Sequence, residues 1–335
     1  MRLNGSPSTQ GITLHNDSLR VQILPEEGGK VASFFDVRTN LEFLLQPAQT
    51  LRPPRAFDPW DRFENSACSG IDDCLPSVGD CGPETEGGPV PDHGDFWRLP
   101  WEVVNSSGAH SLSLAATGYS RPLRIEKQFV LDDSSLRIHY RIRNLGDATV
   151  PFLFALHPLF AIDPGDRVVL PAEVSTLRVE SSRLERLGSR SALIGWPKPF
   201  GAGSALDLSL TETASAAIAE MLYTDRLQSG WCGLYRSQSG LGVVMRFDTQ
   251  RLPYLGLWLC YGGWPENAMG PLQYAVALEP TVSPRGTLAE ALENIQAPVL
   301  AARESLEFEI EIERIGPNPV SYGDFVKRCS QSVHL

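Results

Sequence analysis

Leu306-Glu-Phe-Glu-Ile-Glu-Ile-Glu313 alternates apolar and acidic residues without a break. Successive side chains of an extended strand point to opposite faces, so this run reads as a strand with one buried and one wet face. Leu136-Arg-Ile-His-Tyr-Arg-Ile-Arg143 repeats the pattern with basic residues, and the turn Asp132-Asp-Ser-Ser135 joins it to Leu123-Arg-Ile-Glu-Lys-Gln-Phe-Val-Leu131. That spacing predicts a hairpin. Leu19, Val21 and Ile23 alternate with Arg20 and Gln22, and Gly240-Leu-Gly-Val-Val-Met-Arg-Phe247 follows a Ser-Gln-Ser turn signal, which gives two more strands.

Phe152 to Phe160 is apolar at both parities, as for a strand covered on both sides in the middle of the fold. Helical signals are few. The clearest starts at Thr287, where Thr287 and Glu290 have capping-box spacing ahead of Ala291, Leu292 and Ile295. There is no repeated βαβ pattern, and 29 glycines and 26 prolines punctuate the chain as turns. The predicted fold class is all-β, a large antiparallel β-sandwich of two packed sheets with few short helices. The 335 residues suit one domain of this kind, residues 1–335. Leu51 to Pro91 reads as a long irregular segment, and long loops inside compact domains are often functional.

The chain carries 29 Lys and Arg against 40 Asp and Glu, a net charge of −11. That balance gives no electrostatic case for nucleic acid as a partner. The first ten residues lack the apolar core of a signal peptide, and no apolar run is long enough to span a bilayer, so the expectation is a cytoplasmic protein without a membrane partner. Six cysteines, at 68, 74, 81, 232, 260 and 329, form no CxxC unit. Reduced thiols are expected. Cys68, Cys74 and Cys81 share one loop, but their separations do not match zinc-binding spacing, and no HxH or HExxH element is present, so no metal site is predicted.

Two ionisable residues stand alone in apolar strands. Val150-Pro-Phe-Leu-Phe-Ala-Leu-His-Pro-Leu-Phe-Ala-Ile162 contains only His157, and Tyr274-Ala-Val-Ala-Leu-Glu279 contains only Glu279. Burying an unpartnered charge is costly, so such residues have partners or a chemical task. An imidazole that can carry a proton near neutrality and a carboxylate that can accept one are the minimum for general acid/base catalysis. On the strand alone, a hydrogen-bonded core residue is the favoured reading of His157, and a structural partner for an arginine such as Arg285 is the lesser alternative for Glu279.

The motifs in order carry a resemblance. Val21-Gln-Ile-Leu-Pro-Glu-Glu-Gly-Gly-Lys-Val-Ala-Ser-Phe-Phe-Asp36 resembles the opening strands of aldose 1-epimerases, also called galactose mutarotases. Asp92-His-Gly-Asp-Phe-Trp-Arg-Leu-Pro-Trp101 is similar to that family's His-Gly substrate loop, Leu156-His-Pro-Leu-Phe160 to its catalytic-histidine strand, and Ala277-Leu-Glu-Pro280 to its catalytic-glutamate strand. Leu257-Trp-Leu-Cys-Tyr-Gly-Gly-Trp-Pro265 resembles an aromatic segment of divergent members.

The resemblance implies a β-sandwich enzyme that interconverts the α and β anomers of a sugar or sugar phosphate without a cofactor. Glu279 would take the proton of the anomeric hydroxyl while His157 protonates the ring oxygen, and His93 would orient the sugar. With reference pKa values of about 4.3 and about 6.5, Glu279 ionised and His157 protonated coexist on the acid side of neutrality. In place of the family's Asn-x-x-x-Gly-Arg segment the chain has Cys68-Ser-Gly-Ile-Asp-Asp-Cys-Leu-Pro-Ser77. Asp73 is the predicted sugar-hydroxyl ligand there, with Asp72 next in line. Trp97, Trp101, Trp258 and Trp264 are candidates to stack on a sugar ring, Trp264 foremost. Arg98 or Arg62 would serve a phosphorylated sugar. The alternatives are a non-catalytic carbohydrate-binding protein and a glycoside-processing enzyme using Asp73 and Glu279 as its carboxylate pair.

Overall fold

The computed structural model describes residues 11–47, 58–201, 206–266, 272–316 and 318–331. Two large antiparallel sheets hold nearly all of the described strands, with Val150–Pro151 and Val299–Leu300 pairing apart from them. The eight-stranded one runs Arg167–Val169, Trp231–Arg236, Leu241–Phe247, Ser305–Ile315, Ser135–Asn144, Leu123–Leu131, Ser111–Thr117 and Glu102–Ser107. The acidic and basic alternating runs are neighbours at its centre, with Glu309 opposite His139 and Glu307 opposite Arg141. The His139–Glu309 contact at 2.6 Å and the Arg141–Glu307 ion pair at 3.3 Å lie on the wet face. Exposed pairs of this kind contribute at most about 1 kcal/mol each. The opposite parity does more: Leu136, Ile138, Tyr140 and Ile142 with Phe308, Ile310 and Ile312 are buried in the shared core, at roughly 1.5–3 kcal/mol per large apolar side chain. The predicted hairpin forms with Leu131 opposite Leu136.

The eleven-stranded sheet carries the lone histidine and glutamate. Its path includes Leu19–Leu24, Lys30–Asp36, Ile71–Cys74, Ala155–Phe160, Tyr274–Thr281, Tyr254–Tyr261 and Ile218–Tyr223, in that spatial order. Ala155–Phe160 is buried at every position. One face of this sheet packs against the eight-stranded sheet, and Phe63, Cys68 and Trp97, from the loops on either side of Ile71–Cys74, cover the other. That double cover explains why the sequence here is apolar at both parities.

Two α-helices occur among the described residues. Leu288–Glu293 is capped as its sequence predicts, the Thr287 hydroxyl accepting from the Glu290 amide at 3.2 Å. Tyr322–Cys329 packs Phe325 and Cys329 on the outer face of the smaller sheet. Gly242 is required there, because a Cβ would stand 2.3 Å from the Phe325 ring. All six cysteines are free thiols, and among the described residues no helix is long and apolar enough to cross a membrane.

Candidate active site

Strand register builds the site from four strands. Asp72 lies opposite His157. The pairings Ala155 with Thr281 and Leu159 with Ala277 set His157 opposite Glu279, and Gly256 follows on the far side of Glu279. On the near side Val31 pairs with Ile71, which brings Lys30 to Asp72, Nζ 3.1 Å from Oδ2. Lys30, Asp72, His157 and Glu279 thus form one row across the sheet, on the face away from the second sheet.

His157 Nε2 stands 3.6 Å from Glu279 Oε1. Nδ1 of His157 and Oε2 of Glu279 have no hydrogen-bond partner among the described residues. Arg285 is occupied by Gln296 and Asn294 instead. Burial without a stabilising cation pushes Glu279 up to about 8. Burial, reinforced by His93 and Lys30, pushes His157 down to about 3. This inverts the order expected from reference values, because both groups leave water, Glu279 gains nothing in exchange, and the backbone hydrogen bond that favours the imidazolium of His157 is outweighed. Both shifts favour the neutral forms, a protonated Glu279 beside a neutral imidazole.

A wall of aromatic rings closes over the pair. Asp92 organises it, Oδ2 accepting from the Phe63 amide at 2.8 Å and Oδ1 lying 2.9 Å from His93 Nδ1. Burial raises the Asp92 carboxyl, but the hydrogen bonds from His93 and Phe63 outweigh it and leave it below its ordinary value. The Phe63 ring stacks on His93 at 4.1 Å and meets His157 edge-on at 5.3 Å. The His93 and His157 rings are 5.4 Å apart. Gly94 makes this approach possible: its φ is +72°, and a Cβ would fall 2.1 Å from the Leu75 carbonyl oxygen. Trp258 and Trp264, edge to face at 6.2 Å, belong to the same apolar cluster as Phe63 and Trp97.

His157, Glu279, His93 and, through Trp258, Trp264 therefore come together. Asp73 and Arg98 do not join them. Asp73 points into the inter-sheet core, where Lys127 Nζ donates at 2.6 Å and Tyr140 at 2.9 Å. Asp72, one residue earlier and so on the opposite face, takes the site position. With Asp73 and Glu279 on opposite faces, no glycosidase carboxylate pair is formed. Arg98 is paired with Asp61 and covers the Trp97 ring at 5.3 Å. Two residues escaped the sequence reading. Lys30 opens an apolar run but has Glu26, Glu27 and Asp36 close by in the chain, a weaker signal than that of His157, whereas Phe63 carried none. Among the described residues no group of three or more His, Cys, Asp or Glu is placed to hold a metal ion.

The family model for aldose 1-epimerase matches residues 10–191. The chain belongs to the aldose 1-epimerase family. The matched segment of this family member includes Lys30, Asp72, His93 and His157, while Glu279 enters the site from beyond it. Solved structures share the galactose mutarotase-like fold. A protein from Synechocystis superposes with a TM-score of 0.68 at 18% identity, over 94% of this chain and 99% of that one. A galactose mutarotase-like protein from Lactobacillus casei gives 0.64 at 16%, over 91% and 99%. A galactose mutarotase related enzyme from Lactobacillus acidophilus gives 0.64 at 15%, over 92% and 98%. No curated protein sequence matches this aldose 1-epimerase family member significantly.

Proposed function

We propose that this protein interconverts the α and β anomers of an aldose by acid/base ring opening, with His157 and Glu279 as the catalytic pair. The observation that carries the reading is the 3.6 Å separation of Nε2 and Oε1 on adjoining strands, under an aromatic wall. The anomeric hydroxyl and the ring oxygen are bonded to the same carbon, so two groups this close reach both at once. Sugar hydroxyls supply the donors that the Glu279 carboxyl lacks, which favours its ionised form and sends the shared proton to His157. Glu279 then takes the anomeric proton while His157 protonates the ring oxygen. The C1–O5 bond breaks to give the open aldehyde. Rotation about C1–C2 and reclosure with both transfers reversed yield the other anomer, with no net proton or electron change. His93 and Trp264 hold and orient the sugar.

Anomer-resolved NMR on freshly dissolved aldoses and aldose phosphates tests the reading. Accelerated exchange on at least one sugar supports it. Saturable binding without acceleration across the panel would instead mark a carbohydrate-binding protein.

A further inference from the structure

The chain buries two lysines, and they differ in how far their donors are used. Lys127 is sealed between the sheets, its ammonium engaged by Gly29 O at 2.7 Å, by Asp73 Oδ2 at 2.6 Å and by the Trp101 ring at 4.3 Å. Among the described residues Lys30 meets one acceptor, Asp72 Oδ2 at 3.1 Å. An ammonium carries three N–H donors, so Lys30 has capacity to spare. Its side chain keeps 7% exposure against 1% for Asp72, so the lysine is the member of the pair that faces the site. Asp72 Oδ1 has no hydrogen-bond partner among the described residues, and Lys30 is what Oδ2 meets. A buried pair satisfied this poorly is often less stable than an apolar pair of the same volume. Stability therefore does not account for it.

The placement points to the sugar. Lys30 starts its strand directly after Gly28 and Gly29, and Gly28 packs so tightly on the wall that a Cβ would lie 2.2 Å from the Trp97 carbonyl oxygen. The Gly28 amide also donates to Leu99 O at 2.9 Å. These contacts tie the base of Lys30 to the loop that carries His93. Two strands along the same row stands His157.

We infer that Lys30 is a substrate-binding and specificity-determining residue, its ammonium held by Asp72 so that it donates to an oxygen of the sugar beside His157. Asp72 is then a positioning residue, acting through Lys30. The inference rests on the mutarotase reading for its substrate class. A second consequence follows from charge: the ammonium disfavours the imidazolium, so removing it shifts the acid limb of the pH–rate profile upward.

Lys30→Met and Asp72→Asn, assayed on the best sugar of the panel, test the inference. Lys30→Met should raise KM about tenfold or more with kcat within about threefold, as for loss of a charged hydrogen bond made in ground and transition states alike. Its acid limb should move up. Asp72→Asn should raise KM in the same direction. The wild-type protein gives an independent readout: it has only four lysines, and reductive methylation followed by mass spectrometry should show Lys30 protected by the sugar. A KM within twofold of wild type for Lys30→Met overturns the inference, as does labelling of Lys30 at equal rates with and without sugar. If Lys30→Met does not fold, the labelling decides. Absence of anomer exchange in the wild type would defeat the mutarotase reading, while sugar-dependent protection would still establish Lys30 as a ligand.

Discussion

Asp72 and Asp73 are neighbours in the chain and serve opposite faces of one sheet, each with a lysine of its own. Asp72 meets Lys30 at 3.1 Å in the site row, and Asp73 meets Lys127 at 2.6 Å between the sheets. The second pair, completed by Tyr140, pins the Ile71–Cys74 strand to the smaller sheet. Removing one partner of such a buried pair costs about 3–5 kcal/mol. Asp73→Asn is therefore expected to lower stability by that order in urea unfolding while leaving the KM for sugar unchanged. A rise in KM without loss of stability would return Asp73 to the site.

The shifted acid/base pair makes stability depend on pH in a defined way. The folded protein holds Glu279 protonated up to about 8 against 4.5 in the unfolded chain. Its contribution is complete below pH 4.5 and is lost as pH rises through 8, at about 1.4 kcal/mol per unit. His157 acts in the opposite sense, being neutral in the fold down to about 3 against 6.5 unfolded. Its contribution is complete above pH 6.5 and is lost as pH falls through 3. Between 4.5 and 6.5 the two slopes cancel, so the pair's contribution should peak there. Urea midpoints measured across the range should decline on both sides, with Glu279→Gln flattening the alkaline decline and His157→Asn the acid one. A variant that leaves its limb unchanged would show that the group is not buried as described.

Catalysis should follow the same proton count. A pair that holds one proton from about 3 to about 8 gives a plateau in kcat/KM, which reports the free enzyme, through neutrality. The loss should come near pH 8. Independent groups with ordinary pKa values would instead give a narrow optimum between about 4.3 and about 6.5, so activity already falling at pH 7 would contradict the shared proton.

His93 is expected to act on the sugar more than on the fold. Its side chain is 17% exposed, and its ring links Phe63 to His157. His93→Asn should raise KM by about tenfold, with thermal stability nearly unchanged. Circular dichroism melts and anomer-exchange kinetics on the same preparation check both halves of this expectation.

Legibility in the sequence tracked locality. Alternation in Leu123–Leu131, Ser135–Asn144 and Ser305–Ile315 gave the strands and the hairpin, because a period of two depends only on neighbouring residues. The apolar environment of His157 and Glu279 marked them as unusual for the same reason. Choosing between Asp72 and Asp73 needed the face of the sheet, which depends on which parity of Ile71–Cys74 meets the core. All four residues of that strand are buried, so no hydrophobic pattern distinguishes the faces. Phe63 reaches the site only through the loop that Asp92 organises, a contact across 29 residues with no periodic trace.

The most direct test of the central claim is the anomer-exchange rate of Glu279→Gln, measured by NMR at neutral pH on the sugar the wild-type protein turns over best. The variant keeps the shape of the buried carboxyl but cannot give up or accept its proton. Exchange should slow by roughly two orders of magnitude or more, with His157→Asn equally slow and the double variant no slower than either, as for two residues acting as one unit. A folded Glu279→Gln protein that exchanges anomers at the wild-type rate would contradict the account.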